Sequence, residues 1–434
     1  SSLNFCTTAT SASLRAASMS EVRSIIVELL SQMGSSREAR QYLQRFSSLD
    51  TVQFAVIKVG GGILSNQLDE LASALSFLRH AGLYPITVHG AGPQLNKALS
   101  EAGVTSVIKD GLRVTSPEVM KVVRPIIYQE NLKLVEALEK RGVRSRGIVH
   151  GVFSCDLLNL EAYGLVGKVE SVNLDSVHAA LNSHALPIVA CLGESEAGQV
   201  LNINADSAAR ALVKAIKPYK IIYLTPTGGM LDPNQQVVSA VNLETDFDVL
   251  MKSDWVHSGM RLKLQEIKAL LDELPSSASV SITEASHLTK ELFTHRGAGT
   301  LIRKGERIHV TRAANSNELN HLQVLVERSF RRELCNDYFN TVPDYLFYAE
   351  SWHAAAVIHV GHDGIPYMDK FVVTPEAQGE GVGAALWQQI RSVFPSLYWR
   401  SRVDNPINSW YLQQSDRVVR GDGWLAFCLS LIHI

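Results

Sequence analysis

Phe54-Ala55-Val56-Ile57-Lys58-Val59-Gly60-Gly61-Gly62 carries an apolar, β-branched run straight into a triple glycine, and behind it Leu68, Leu71, Leu75 and Leu78 recur at helical spacing. This is strand, glycine turn, helix. The pattern repeats where Pro85 to Val88 runs into His89-Gly90-Ala91-Gly92-Pro93, followed by a helix containing Leu95 and Leu99. Further strands read at Leu186 to Leu192 and Ile221 to Leu224, with helices at Asp206 to Lys217 and Arg261 to Leu274. Strands alternating with helices predict an α/β domain with a largely parallel sheet covered on both faces, and ligands in such sheets sit at the carboxyl ends of the strands. Both glycine turns lie there.

The chain has 434 residues, 46% of them hydrophobic and 19% charged. That suffices for two to three units of about 100–200 residues. With 41 Lys and Arg against 43 Asp and Glu, the formal net charge is -2, so there is no global basic field to hold nucleic acid or an anionic membrane. No run approaches the roughly 18 apolar residues of a membrane-spanning helix. Small-molecule substrates are the expected partners. The five cysteines (Cys6, Cys155, Cys191, Cys335, Cys428) are scattered and never form C-x-x-C, which argues against a disulfide framework or zinc site and predicts buried, inert thiols.

Residues 1–20 contain no acidic residue and one arginine, Arg15, amid Ser, Thr and Ala. This composition predicts a mitochondrial transit segment and a matrix location; the alternative is an unstructured tail on a cytoplasmic protein. Within 21–50, Val22, Ile25, Ile26, Leu29, Leu30 and Met33 form an amphipathic helix suited to docking or homo-oligomerisation. After Gly297-Ala298-Gly299-Thr300 the pattern restarts, which places a domain boundary near 306, between units 51–305 and 306–434. The second unit reads as a helix around Leu319 to Phe330, strands at Ala354 to Val360 and Tyr367 to Val373, and a helix from Val382 to Val393.

The turns at Gly60, Gly61 and Gly62 and at Gly90, Ala91 and Gly92 offer backbone amides to phosphate oxygens, although neither is a G-x-x-x-x-G-K-[ST] loop and each alone is more often merely tight backbone geometry. Lys58 adds weight, because a lysine at the end of a buried strand is costly unless an anion awaits it, the alternative being a chain that snorkels to the sheet rim. Asn202-Ile203-Asn204-Ala205-Asp206 opens a helix. Asn204 reads at least as well as a helix cap. Asp206 is placed to hold lysines, and Lys263 is the candidate second lysine.

On these residues, with Gly111-Leu112-Arg113-Val114-Thr115 and Gly259-Met260 leading to Lys263, the chain resembles the N-acetylglutamate kinases of the amino acid kinase fold, and in particular the bifunctional N-acetylglutamate synthase/kinases and the mitochondrial fungal kinases, over about residues 20–424. The resemblance implies a three-layer kinase domain using ATP with Mg²⁺. It assigns Lys58 and Lys263 to the transferring phosphoryl group, Asp206 to orienting them, Gly60 and Gly61 to ATP phosphates, and Gly90, Ala91, Gly92, Arg113 and Asn202 to N-acetylglutamate. Ala91 departs from the glycine of many stand-alone kinases. Glu291 and Gly297 are marked by the same resemblance as an arginine effector site, although an exposed charge at a helix end fits Glu291 equally. No carboxylate cluster suggests a protein-held metal.

Gln378-Gly379-Glu380-Gly381-Val382-Gly383, at a strand-to-helix turn, matches the Q-x-x-G-x-G pyrophosphate pattern of the GCN5-related acetyltransferases. This resemblance implies a smaller α/β acetyltransferase domain that takes acetyl-CoA on Gln378, Gly379, Gly381 and Gly383. Trp399-Arg400-Ser401-Arg402, Asn405-Pro406-Ile407-Asn408 and Trp410-Tyr411 resemble vertebrate-type N-acetylglutamate synthase domains. They imply that Lys370, Arg400 and Arg402 bind glutamate while Asn405 and Tyr411 line the transfer site. The alternative is a surface-basic strand beside a packed Trp-Tyr pair. The tail Cys428 to Ile434 departs from that family's pattern and reads as a truncation or a gene-model artefact, and a non-catalytic C-terminal module is the second hypothesis.

Overall fold

The computed structural model describes residues 53–430 apart from 257, 275–277, 294–297, 336, 363, 376 and 379–380. The transit segment, the amphipathic helix of 21–50, Gly297, Gly379 and the last four residues therefore lie outside the described residues.

Two compact units divide at Arg303/Lys304, and residues 242–246 group with the second. In the first, Ala55–Val59 is an inner strand of an eight-stranded sheet and every residue of it is buried. It pairs in parallel with Lys220–Leu224 on one side and Ile86–His89 on the other. Beyond these, Ser279–Thr283, Leu186–Ala190 and Ser145–Ile148 continue the parallel arrangement, while Thr300–Arg303 runs antiparallel. An inner strand of this kind needs apolar residues facing both ways, hence the unbroken run around Lys58. Leu71, Leu75 and Leu78 of the helix Leu68–His80 pack on Ile57, Val59, Ile222 and Leu224 in one core. Each fully buried leucine contributes roughly 1.5–3 kcal/mol.

Three features differ from the expectation. The run read as one strand from Leu186 to Leu192 breaks at Cys191: Leu186–Ala190 stays in the main sheet, and Leu192–Glu194 joins a second, four-stranded sheet with Val200–Asn202, Phe153–Leu157 and Gly167–Val172. A two-stranded hairpin, Ile108–Lys109 with Leu112–Arg113, also stands outside the main sheet. The thiols are not uniformly buried, since Cys155 and Cys191 are interior but Cys335 is exposed and Cys428 half-buried.

The second unit is a seven-stranded sheet in the order Ile308–Thr311, Tyr345–Ala349, Ala354–Val360, Pro366–Val373, Leu397–Arg402, Trp424–Leu429, Arg417–Gly421. Its neighbours are antiparallel except Pro366–Val373 and Leu397–Arg402, which run parallel and pair only at Tyr367/Tyr398 and Met368/Trp399. The helix Val382–Val393 packs Leu386, Trp387 and Ile390 against one face, and Ser316–Phe330 packs Leu322, Leu325 and Val326 against the other.

Candidate functional site

At the carboxyl end of Ala55–Val59, the Nζ of Lys58 lies 2.7 Å from Oδ1 of Asp206. That oxygen receives no well-aligned hydrogen bond, so the contact is an ion pair. Asn204 caps the helix Ala205–Ile216 by accepting from the amides of Asp206 and Ser207 at 2.8 and 3.3 Å. The cap reading of Asn204 holds, and the cap sets Asp206 in the first turn, where the helix dipole favours a carboxylate. Lys263, from Ser258–Asp272, completes the group: the Nζ atoms of Lys58 and Lys263 stand 5.9 and 5.7 Å from the centre of the buried Tyr223 ring. Tyr223 is paired with Lys58 in the adjacent strand and is a platform that sequence reasoning missed. Its signal was an aromatic inside the apolar run Ile221 to Leu224.

Electrostatics tie these groups together. Burial opposes ionisation of Asp206, yet the charges of Lys58 and Lys263 prevail and hold its carboxyl below the ordinary value. Burial, then the like charge of Lys58, lowers the pKa of Lys263, against an opposing pull from Asp206. Cys191, next along the chain from the end of a main-sheet strand, is pushed up to about 12 by burial and stays a thiol.

The glycine turns abut. A Cβ on Gly61 would fall 2.8 Å from the amide nitrogen of Gly92 and 2.7 Å from Oε1 of Gln94; one on Gly90 would fall 2.9 Å from Cβ of Ala205; one on Gly92 would meet open space. Gly61 and Gly90 are thus required by packing, whereas Gly92 faces a gap. Gly60 caps the helix Gly61–Asn66, whose first amides have no intrahelical acceptor. Ala91 is buried and caps Gly92–Glu101, so the departure from glycine is accommodated. On the hairpin, Arg113 donates to Ser106 at 3.2 Å and to Asn96. Thr115 joins it to Asn202, accepting from Asn202 Nδ2 at 3.1 Å and donating to the Arg113 carbonyl at 2.8 Å. Glu291 is buried rather than exposed, and its Oε2 accepts from the amides of Ala298 and Gly299 at 2.8 and 3.2 Å.

In the second unit Gly381 caps Val382–Val393 with φ 87°, a left-handed conformation that glycine adopts freely. Gln378 is exposed. A Cβ on Gly383 would approach Val373 Cγ2 at 3.1 Å, which keeps this helix close to the sheet. Arg400 and Arg402 point outward from an alternating strand and lie 4.9 and 5.1 Å from the centre of the Trp424 ring. The register passes from Val357/Lys370 to Ile358/Met368, leaving Asp369 as the extra residue of a bulge. Oδ2 of Asp369 accepts from Lys370 at 2.6 Å and from the Tyr338 hydroxyl at 2.7 Å, partners the sequence reading missed. Asn405 Oδ1 accepts from the amide of Ile407 at 3.3 Å. Tyr411 packs among Trp399, Trp410 and Phe427, and burial raises the pKa of its phenol. Among the described residues no group of three or more His, Cys, Asp or Glu side chains is placed to hold a metal ion.

The first unit thus places two lysines and a carboxylate beside abutting glycine turns at the end of a mainly parallel sheet. The model of the amino acid kinase family matches residues 53–281, and the chain belongs to that family. The model of the N-acetyltransferase domain of N-acetylglutamate synthase matches residues 308–432. An acetylglutamate kinase of Xylella fastidiosa is 47% identical over 92% of this chain and 95% of its own length. Protein arg-6, mitochondrial, of Neurospora crassa is 39% identical over 93% of this chain, which spans 48% of that protein. Human mitochondrial N-acetylglutamate synthase is 32% identical over 94% of this chain and 76% of its own length. In fold, the chain is similar to an N-acetylglutamate synthase from Neisseria gonorrhoeae solved with coenzyme A and N-acetyl-glutamate, with a TM-score of 0.65 at 17% identity over 91% of this chain and 98% of that one.

Proposed function

We propose that the first unit transfers the γ-phosphoryl group of ATP to the side-chain carboxylate of N-acetyl-L-glutamate, in arginine biosynthesis. The observation that carries this is the convergence of Lys58, Asp206 and Lys263 beside the glycine turns. A carboxylate acceptor is already ionised at neutral pH, so catalysis reduces to alignment and charge neutralisation, with no general base. Lys58 and Lys263 neutralise the moving group and Asp206 keeps them from repelling each other. The amides at Gly60 and Gly61 receive ATP phosphates, and the turn at Gly90, Ala91 and Gly92 holds N-acetylglutamate together with Arg113 and Asn202, which are coupled through Thr115. Mg²⁺ would ride on the ATP phosphates, which suits a site whose carboxylate is taken up by lysines.

The second unit, in this reading, makes N-acetylglutamate from acetyl-CoA and L-glutamate. The first turn of Val382–Val393 offers its amides to the coenzyme diphosphate, and Arg400 and Arg402 face outward to carboxylates. Asp369 engages Lys370, and Tyr411 is largely enclosed; these two facts favour the second reading, in which the module binds coenzyme without catalysis. Supplying pure protein with glutamate, acetyl-CoA and ATP and following each half-reaction separates them: N-acetylglutamate formation supports the first, coenzyme binding without turnover the second. The mitochondrial names of the Neurospora and human relatives support a matrix location, tested by fractionating cells that express the full-length protein.

The charge of Lys263 gives a pH prediction. Its pKa is depressed in the ligand-free site, so kcat/KM for ATP, which reports the free enzyme, should fall on the alkaline side below the ordinary lysine value of about 10.4. Asp206→Asn removes the group that raises this pKa and should shift the alkaline limb of the residual kcat/KM to lower pH. A pH profile of kcat/KM in which the limb stays in place or moves upward contradicts the assignment.

A further inference from the structure

The long helix Pro117–Glu139 carries two adjacent buried polar residues, Glu130 and Asn131, 3% and 2% exposed. Neither enters the reading above. Asn131 Nδ2 lies 3.0 Å from Nε2 of His89, the residue before Gly90, and donates to the Ile188 carbonyl at 2.9 Å. Glu130 Oε2 accepts from Gln94 Nε2 at 3.1 Å, and the same Nε2 donates to the Gly61 carbonyl at 2.9 Å. The orientation of the Gln94 amide is forced, because its two neighbours are both acceptors and only an NH₂ serves both. Oε1 of Gln94 fills the space where a Gly61 Cβ would stand. The Gln94 amide therefore holds Gly61 by one hydrogen bond to its carbonyl, with Oε1 packed against Gly61 and lacking a hydrogen-bond partner, and Glu130 fixes the amide.

We infer that Glu130 and Gln94 are positioning residues for phosphoryl transfer: Glu130 orients Gln94, and Gln94 sets the spacing between the two glycine turns by holding the Gly61 carbonyl. The inference rests on the kinase reading and goes beyond it, since neither side chain needs to touch a substrate. Burying a carboxylate at Glu130 is costly, and Lys133, 2.5 Å away, compensates part of the charge.

Reversing the pair separates function from stability. In Gln94→Glu, measured at pH 8, two carboxylates face each other and the grip on Gly61 is gone, so both Tm and kcat should fall. Adding Glu130→Gln restores a hydrogen bond between the two side chains with donor and acceptor exchanged, but a carboxylate at position 94 still cannot donate to the Gly61 carbonyl. The double variant should regain most of the Tm yet keep a kcat at least about tenfold below the parent, with KM for both substrates within about threefold. Glu130→Leu removes the acceptor that orients Gln94 and should lower kcat by about threefold or more with KM for both substrates nearly unchanged; an unchanged kcat in this variant overturns the role of Glu130. Recovery of kcat together with Tm in the double variant, or unchanged kcat in Gln94→Glu, overturns the inference and leaves the pair as packing. A parent enzyme that phosphorylates no N-acetylglutamate would instead refute the kinase reading, before any variant is compared.

Discussion

Lys58→Ala is expected to lower kcat for phosphoryl transfer by about 10²–10⁴, the loss that follows removal of a preorganised charge from a transition state. Lys58 is 7% exposed and reaches the site from a strand buried along its whole length, so no solvent-borne cation readily takes its place. The substitution also strips Asp206 of its 2.7 Å partner. Asp206 then answers only to Lys263, and its carboxyl should titrate at higher pH than in the parent. A lower Tm is therefore expected alongside the kinetic loss, and kcat must be measured below the unfolding transition. The KM for N-acetylglutamate should change far less than kcat, because the acceptor is assigned to Arg113 and Asn202. Normal turnover in a folded Lys58→Ala enzyme would end the assignment.

Much of this site was legible because its parts obey local rules. Ala55–Val59 is buried on both faces, so it reads as an apolar run in which one lysine stands out. Asn204 and Asp206 follow capping chemistry, and Val382–Val393 begins and ends where its glycine turn and apolar spacing place it. What escaped was held by tertiary partners. Pro117–Glu139 contains Pro125 and the polar sequence Gln129-Glu130-Asn131, which interrupt a helical apolar stripe; two of those polar residues are interior only because Gln94, His89 and the Ile188 carbonyl wait for them. The hairpin Ile108–Lys109 and Leu112–Arg113 has strands of two residues each, too short for alternation to show. Asp369 looked like one more strand residue, and only the register of Ala354–Val360 against Pro366–Val373 reveals the bulge that turns it toward Tyr338 and Lys370. Glu291 was weighed as an exposed end charge because nothing nearby in sequence announces that Ala298 and Gly299 will fold back onto it.

Gly381→Asp should abolish binding of acetyl-CoA, and the comparison with Gly381→Asn shows why. Gly381 sits at φ 87°, where side chains are strained, but Asp and Asn are the residues that best tolerate left-handed backbone. The two substitutions thus impose nearly the same conformational cost. They differ in charge. If the amides at the start of Val382–Val393 receive a diphosphate, a carboxylate at the cap competes for those amides and repels the ligand, whereas a carboxamide only competes. Titration calorimetry with acetyl-CoA should show affinity lost by about 100-fold or more for Gly381→Asp, and by about tenfold or less for Gly381→Asn. Raising the salt concentration should narrow the gap, since screening weakens the charge term and leaves the steric one. Gly381 belongs to the second unit, so the folding control is the thermal unfolding of that unit in both variants, and phosphorylation of N-acetylglutamate reports only that the first unit is intact. Equal losses in the two variants would place the effect in backbone strain rather than charge, and undiminished binding by Gly381→Asp would remove the coenzyme diphosphate from this turn.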